Sequence, residues 1–582
     1  MSMDLPPASR EARWPEIAVV FLAAAAMAWW GGQPYYHPDL IADEALAVLQ
    51  NHGDPRYFHY PGFVIYLHAA GYAVLGWLRL LFSGGEETLS GALVAMKQDG
   101  SLMAFAHLLT AFFSGLGAAA AWRAAALLGA RRSIRLLAGC LLAFALLWVR
   151  NGHYVTVDIP LAALCLWTVV VAMRVGQRTD APQIRHAVIL GVLTGLVVAT
   201  KYNGVVVALP VALVLLGNPR GAWRQRIALL LWAGLSSVVV FVIFNPFLFL
   251  DWSLAREHLH SRTAEVAVGR LGYFMDNGWW FHLRYSLGDG YGYGLLALAL
   301  LGGWWTLQPG QRRSYGWLIS LFVLAFWFAM GRSHVAFQRH ILPVLPFLAV
   351  LSARGLERLA DGLVRGVPRV PWLAALLVLW LPLAGHAAWQ SVRHDWVMSR
   401  GDTRSDLEEV LRQAELDTAS LHAYSGRYGR RAVRSSHRRW GKLDFSSHGF
   451  PAGDPIHAGP IRDHELVVLD SFSHERLMCL LPPGAPPPPL DQAVELIQFS
   501  PFRDFVWSGP PSPDSIYSPA LPDLRLRKKA GPWIEVYCRD PAITRALTSA
   551  CARCDTPYQL RPWSEGHYAS LLQGLPNEGL RR

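Results

Sequence analysis

Apolar residues gather into runs of up to about 20, the length a helix needs to cross the hydrocarbon core of a bilayer. Polar residues gather between the runs. About eleven runs fill the first two-thirds of the chain, near 15–32, 102–128, 134–150, 160–175, 186–200, 204–217, 227–245, 292–307, 315–331, 340–353 and 371–388. The fifth and sixth are parted only by Lys201-Tyr202-Asn203-Gly204. Short or broken helices are tolerated where they line a cavity inside the protein. Beyond residue 389 the pattern changes. Val467-Val468-Leu469 and Trp533-Ile534-Glu535-Val536-Tyr537 predict strands by β-branched content or alternation. Asp406 to Leu411 predicts a helix start with Ser405 as its N-cap. The Pro-rich stretch 482–489 predicts a loop or polyproline segment. The pattern therefore predicts a polytopic α-helical membrane domain over 1–388, with a long first loop over 33–100. A soluble α/β domain over 389–582 follows, of ordinary domain length.

Charge adds an orientation. Arg10 and Arg13 precede the first run, and Arg recurs in alternate short loops: Arg131, Arg132 and Arg135; Arg174, Arg178 and Arg185; Arg220, Arg224 and Arg226; Arg312 and Arg313; Arg354, Arg358, Arg365 and Arg369. Positive loops stay in the cytoplasm. The first loop, Asp158, Lys201, the 245–290 loop and the Arg332–His340 loop then face the outside, and an odd number of crossings sends the tail there too. This predicts a multi-pass membrane protein. Bulky Trp29 and Trp30 follow the Ala-rich stretch 23–28, which argues against a cleaved signal peptide.

Composition agrees: 53% of residues are apolar and 16% charged, against about 25% charged in a soluble domain. The formal charge of +11 does not signal nucleic acid. Most of the Arg lies in those loops, and no basic stripe with interleaved aromatics appears. Cys140 and Cys165 lie in apolar runs and read as small buried residues. Cys479, Cys538, Cys551 and Cys554 lie in the tail, where an oxidising compartment predicts disulfides with three pairings open. Cys551-x-x-Cys554 could be half a zinc site, but no second such pair is present.

Carboxylates at membrane boundaries are costly to desolvate and mark candidate chemistry. Asp39, Asp43 and Glu44 follow the first run, and Asp158 opens the fourth. Each also has a plain reading. Asp39 follows His37-Pro38 and could form a turn. Asp43 and Glu44 could face solvent on a juxtamembrane helix. Asp158, two residues before Pro160, could cap a helix, and Lys201 could snorkel to the interface. His37, His59, His153 and His340 could be structural hydrogen-bonders. His37 with Asp39 could hold a divalent cation, so the residues leave a metal cofactor open.

The order of several short motifs carries a resemblance. His37-Pro38-Asp39, Gly53-Asp54-Pro55, Phe58-His59-Tyr60-Pro61 and Tyr66 stand in the first loop. Arg150 and His153 lead to Asp158-Ile159-Pro160-Leu161. Thr200-Lys201-Tyr202-Asn203-Gly204, Asn245-Pro246, and Arg339-His340 with Pro343 and Pro346 follow. In the tail, Asp402-Thr403-Arg404, Ser471-Phe472-Ser473 and Gly531-Pro532 match as well. In this set the chain resembles the polytopic GT-C glycosyltransferases, in the protein O-mannosyltransferase-like and lipid A aminoarabinose transferase-like group. The resemblance implies transfer of a sugar from a polyprenyl-phosphate donor, with inversion, to a lipid, glycan or protein acceptor at the outer face of the lipid bilayer. It implies a carboxylate base, with Asp39 first and Asp43 or Glu44 in reserve, supported by Asp158. It implies substrate contacts from His37, Tyr60, Arg150, His153, Lys201, Tyr202, Arg339 and His340. Leu40 stands where relatives usually carry Glu. The alternative is a transporter or lipid flippase that uses the same carboxylates for ion or proton coupling. Matched broken halves would mark one, and the sequence displays none.

Overall fold

Each predicted apolar run forms a helix or a pair of helices. The structure is a computed structural model that describes residues 14–30, 41–82, 88–217, 221–268, 278–401, 403–414, 422–425, 465–470, 495–500, 527–529, 534–538, 540–554 and 558–561. Helices α1 (Trp14–Trp29), α2 (Ala42–Gln50), α3 (Phe63–Phe82), α4 (Leu89–Asp99) and α5 (Ser101–Leu127) open the chain. Next come α6 (Arg132–Ala143), α7 (Leu146–Gly152), α8 (Asp158–Gln177), α9 (Ile184–Thr200), a 3₁₀ turn over Tyr202–Val207, and α10 (Ala208–Leu216). Then follow α11 (Trp223–Ile243), α12 (Phe247–Leu250), α13 (Trp252–Val268), α14 (Gly278–Phe281), a π-helical turn over His282–Gly288, α15 (Tyr293–Leu307) and α16 (Trp317–Gly331). A 3₁₀ turn over Gln338–Val344 leads into α17 (Leu345–Gly366), and α18 (Trp372–Met398) closes the bundle. Six helical stretches are long and apolar enough to cross a membrane: α3, α5, α8, α11, residues 338–366, and α18. The α6–α7 pair, bent by 57°, makes a seventh candidate, and shorter apolar helices accompany them. The chain is a multi-pass membrane protein.

The first loop holds more structure than its sequence pattern predicts. Helix α3 is 20 residues long and apolar. A Cβ on Gly62, just before α3, would meet the Phe244 carbonyl at the end of α11. In its middle, Tyr72 meets Phe105 at the start of α5. In its last turn, Arg79 pairs with Asp99 at 3.3 Å. The start, middle and end of α3 thus meet α11, α5 and α4 in turn. Val74, Trp77, Leu81 and Phe82 face outward from it.

The bundle has two chemically distinct ends. At one, Arg132 pairs with Glu16, Arg131 pairs with Asp361 at 2.9 Å, and Gln177 donates to the carbonyls of Leu127 and Ser314. The starts of α1 and α6 thus meet the ends of α5, α8 and α17. The other end gathers the start of α8, the end of α9, the end of α11 and the turn before α17. Helix α17 is the central member, almost wholly buried over its first 13 residues. It crosses α15 at a point where only glycine fits. A Cβ on Gly302 would stand 2.0 Å from the Leu351 carbonyl oxygen, and one on Gly355 2.1 Å from that of Leu298. By contrast α11 buries only Leu229 and Ala233 and presents Leu231, Leu235, Val238 and Ile243 outward, as a lipid-facing helix does.

Among the described residues of the tail, five strands and two helices pack together. Strands β1 (His422–Ser425), β2 (Glu465–Asp470), β3 (Glu495–Phe499), β4 (Ile534–Cys538) and β5 (Gln559–Arg561) make one sheet in the order β1-β2-β4-β3-β5. β1 and β2 pair in parallel, and the remaining pairs are antiparallel. Two of the strands are those predicted. Helices α19 (Thr403–Gln413) and α20 (Pro541–Arg553) bury Leu407, Val410 and Leu547 against Ile497, Phe499, Ile534 and Val536. α19 begins at Thr403, so Ser405 lies inside it and is not its cap. Cys551 and Cys554 are free thiols. Cys551 points into this core while Cys554 stands at its edge. Cys551 and Cys554 are not bonded to each other, and Cys479 and the side chain of Cys538, the other partners in the open pairings, lie outside the described residues.

Candidate functional site

The site grows from the first residue of α8. Asp158 is 1% exposed, and the predicted alternative role as a helix cap fails. Val157 is the N-cap and makes no side-chain capping bond. The carboxylate instead receives Lys201 Nζ at 2.7 Å, the Thr156 hydroxyl at 3.3 Å and Arg339 Nε at 3.8 Å. Sitting at a helix N-terminus, it also gains from the positive end of the helix dipole.

Chain breaks supply both cations. Lys201 separates α9 from the 3₁₀ turn, with φ −158° and ψ 134°, so the backbone leaves the helix just where its side chain must turn inward. It is 9% exposed and does not snorkel. Arg339 lies in the 3₁₀ turn before α17, 5% exposed, with its guanidinium 4.3 Å from the Phe337 ring centre. His340 meets the same ring edge-on. A buried carboxylate facing two cations leaves an excess of positive charge in a low-dielectric setting, which suits an anion.

The first loop roofs this cluster. Tyr60 is buried, and Lys201 Nζ sits 5.3 Å from its ring centre while Arg262 of α13 approaches at 5.7 Å. The Tyr202 hydroxyl donates to the Phe58 carbonyl at 3.1 Å, and Gly62 N donates to Asn245 Oδ1 at 2.8 Å. His59 stacks on His258 at 4.3 Å between ring centres. Ile41 N donates to the Val155 carbonyl at 3.2 Å, which ties α2 to the stretch leading to Asp158.

The structure thus joins Asp158, Lys201, Arg339, Tyr60 and Tyr202. Asp43 stands on the exposed face of α2 and pairs with Lys97 at 2.8 Å. Glu44 is half-buried beside it. His37 and Asp39 lie outside the described residues. Arg150, in α7, is buried. His153 turns to a different partner, Asp395 of α18, at 2.9 Å. His153, His394 and Asp395 form a buried group whose ligand atoms could hold a metal ion.

Sequence reasoning missed Thr156, His258, Arg262, His394 and Asp395. Asp395 carried a usable signal: it is a carboxylate just beyond an apolar run, as Asp39 is. Arg262 carried none, because it lies on a helix without apolar periodicity.

Residues 92–249 match the family model described as "Dolichyl-phosphate-mannose-protein mannosyltransferase". Over those residues the chain is similar to that family. The matched stretch contains Asp158, Lys201 and Asn245. Among solved structures, the chain matches ArnT from Cupriavidus metallidurans bound to undecaprenyl phosphate. Identity is 16% and the TM-score 0.47, over 80% of this chain and 95% of that one. The same protein in its apo state gives 16% and 0.48, over 79% and 94%. The S. cerevisiae protein O-mannosyltransferase Pmt1-Pmt2 complex bound to the sugar donor gives 14% and 0.30, over 41% and 34%. No curated protein matches the sequence.

Proposed function

We propose that the chain is an integral membrane glycosyltransferase that moves a sugar from a polyprenyl-phosphate donor to a lipid, glycan or protein acceptor, with inversion. Residues 1–388 form its membrane domain and 389–582 a periplasmic domain, in a bacterial inner membrane. The observation that carries the reading is the buried Lys201–Asp158–Arg339 cluster at the end of the bundle away from the Arg-rich loops. Lys201 and Arg339 hold the donor phosphate, with Tyr60, Tyr202, Arg150 and His340 around it. Asp158 keeps the two cations in place between turnovers. Asp39 accepts the proton of the acceptor hydroxyl, with Asp43 or Glu44 as the alternative base. The acceptor oxygen attacks the anomeric carbon from the face opposite the phosphate. The bond from that carbon to the phosphate oxygen breaks, and the lipid phosphate leaves with the electron pair, stabilised by the two cations.

The test is sugar transfer by purified protein from a labelled polyprenyl-phosphate donor. Asp39→Asn should slow transfer by about 10²–10⁴-fold, the usual loss for a general base, with donor binding little changed. Unchanged transfer in every one of Asp39→Asn, Asp43→Asn, Glu44→Gln and Asp158→Asn would overturn the reading.

A further inference from the structure

His153, His394 and Asp395 lie where the stretch after α7 meets the last turns of α18. All three side chains are fully buried. His153 Nε2 stands 2.9 Å from Asp395 Oδ1, and His394 Nδ1 stands 3.2 Å from the same oxygen. One ligand atom from each residue falls within 4.8 Å of the others. Two polar atoms at this junction, His153 Nδ1 and Asp395 Oδ2, have no hydrogen-bond partner among the described residues.

A buried carboxylate is expensive unless a positive charge compensates it. Two imidazoles that converge on one carboxylate oxygen offer a nitrogen, nitrogen, oxygen donor set of the kind zinc and similar first-row ions take. Metal–ligand bonds of about 2.0–2.2 Å hold donor pairs up to roughly 4 Å apart. The observed spacing therefore needs only a small side-chain adjustment. A fourth position would remain for water.

We propose that His153, His394 and Asp395 bind a divalent transition-metal ion that fastens the end of α18 to the loop presenting Asp158. The two sides of this junction are 242 residues apart in sequence. Neighbouring contacts follow the same seam: Tyr154 packs on Met398, and the Ser391 hydroxyl donates to the Phe144 carbonyl at 2.8 Å. The ion acts as a clamp, apart from the phosphate-binding cluster, and does not depend on the transferase reading. The rival compensation is Arg150, buried one turn before His153.

The experiment uses full-length protein in detergent, carrying a tag without histidine, stripped with chelator and reloaded with Zn²⁺ alone. Metal analysis should find about one equivalent in the parent, and Zn²⁺ should raise its melting temperature. Asp395→Asn and His394→Gln should each weaken Zn²⁺ binding at least tenfold and abolish the melting shift, while His386→Gln, at an exposed position on the same helix, should behave as the parent. Co²⁺ loaded in place of Zn²⁺ should give visible ligand-field bands that both ligand variants lose. Size-exclusion elution like the parent's keeps a misfolded variant from counting as support. A parent that takes up no Zn²⁺, or variants that take it up equally, would overturn the proposal and leave Arg150 as the neutralising group.

Discussion

At the scale of single residues, the ion pair of Lys201 with Asp158 and its proposed contact with the donor phosphate can be tested separately. Removing one partner of a buried ion pair leaves an uncompensated charge and costs about 3–5 kcal/mol. Arg339 still faces Asp158, so Lys201→Met should lose about 3 kcal/mol, the lower end of that range, read as a drop in melting temperature. A melting temperature equal to the parent's would mean that Asp158 is neutralised elsewhere. Lys201→Ala should also weaken donor binding, since a charge-assisted hydrogen bond contributes about 1.5–3 kcal/mol. Donor binding equal to the parent's would remove Lys201 from the phosphate site. The tail thiols give a second residue-level test. Burial pushes the Cys551 thiol up to about 12, far above neutral pH, so almost no thiolate exists to react. Cys554 is also raised, by burial and by Glu409, but it is reachable by solvent. A maleimide at pH 7.5 should label Cys554 in the native protein and Cys551 only after unfolding. If neither reacts until a reductant is added, the pair is oxidised and the packing described for α20 is wrong.

At the scale of elements, α17 holds the bundle together through its crossing with α15. Gly355→Ala would drive a methyl group into the Leu298 backbone, where no side chain can give way. Overpacking of this kind costs about 1–3 kcal/mol. Gly362, farther along the same helix, has nothing within 4 Å of its Cβ position. There Gly362→Ala should stabilise by up to about 1 kcal/mol through helix propensity. Opposite shifts in melting temperature are expected, and a gain at Gly355 would refute the close crossing. Elements of this sort were the most legible part of the sequence. Long apolar runs dictate helices, so all eleven predicted runs reappear as helices. Helix α3 was missed because His68, Gly71, Gly76 and Arg79 interrupt its apolar run. Within the candidate site, Asp158 was legible as a carboxylate at a run boundary and Lys201 as a charge between two runs. Their mutual pairing was not, since ion pairing between distant segments leaves no periodic trace.

At the scale of the whole molecule, the Arg-rich loops and the Asp158 cluster occupy opposite ends. If the Arg-rich end is cytoplasmic, a reporter that works only after export, fused after Arg400, should be active. A reporter active only in the cytoplasm would reverse the orientation and put the tail on the side opposite the cluster. The pairing of Asp158 with Lys201 also bears on how the chain is made. These two charges sit at the free tips of the α8–α9 hairpin, whose turn lies at the Arg-rich end. With the Arg-rich end cytoplasmic, both tips traverse the bilayer during synthesis. Arg339 leaves the ribosome well over 100 residues later, which is about 7–28 seconds at about 5–20 residues per second. Through that interval the hairpin carries its own counter-ion, so its two tips cross as an ion pair rather than as separate charges.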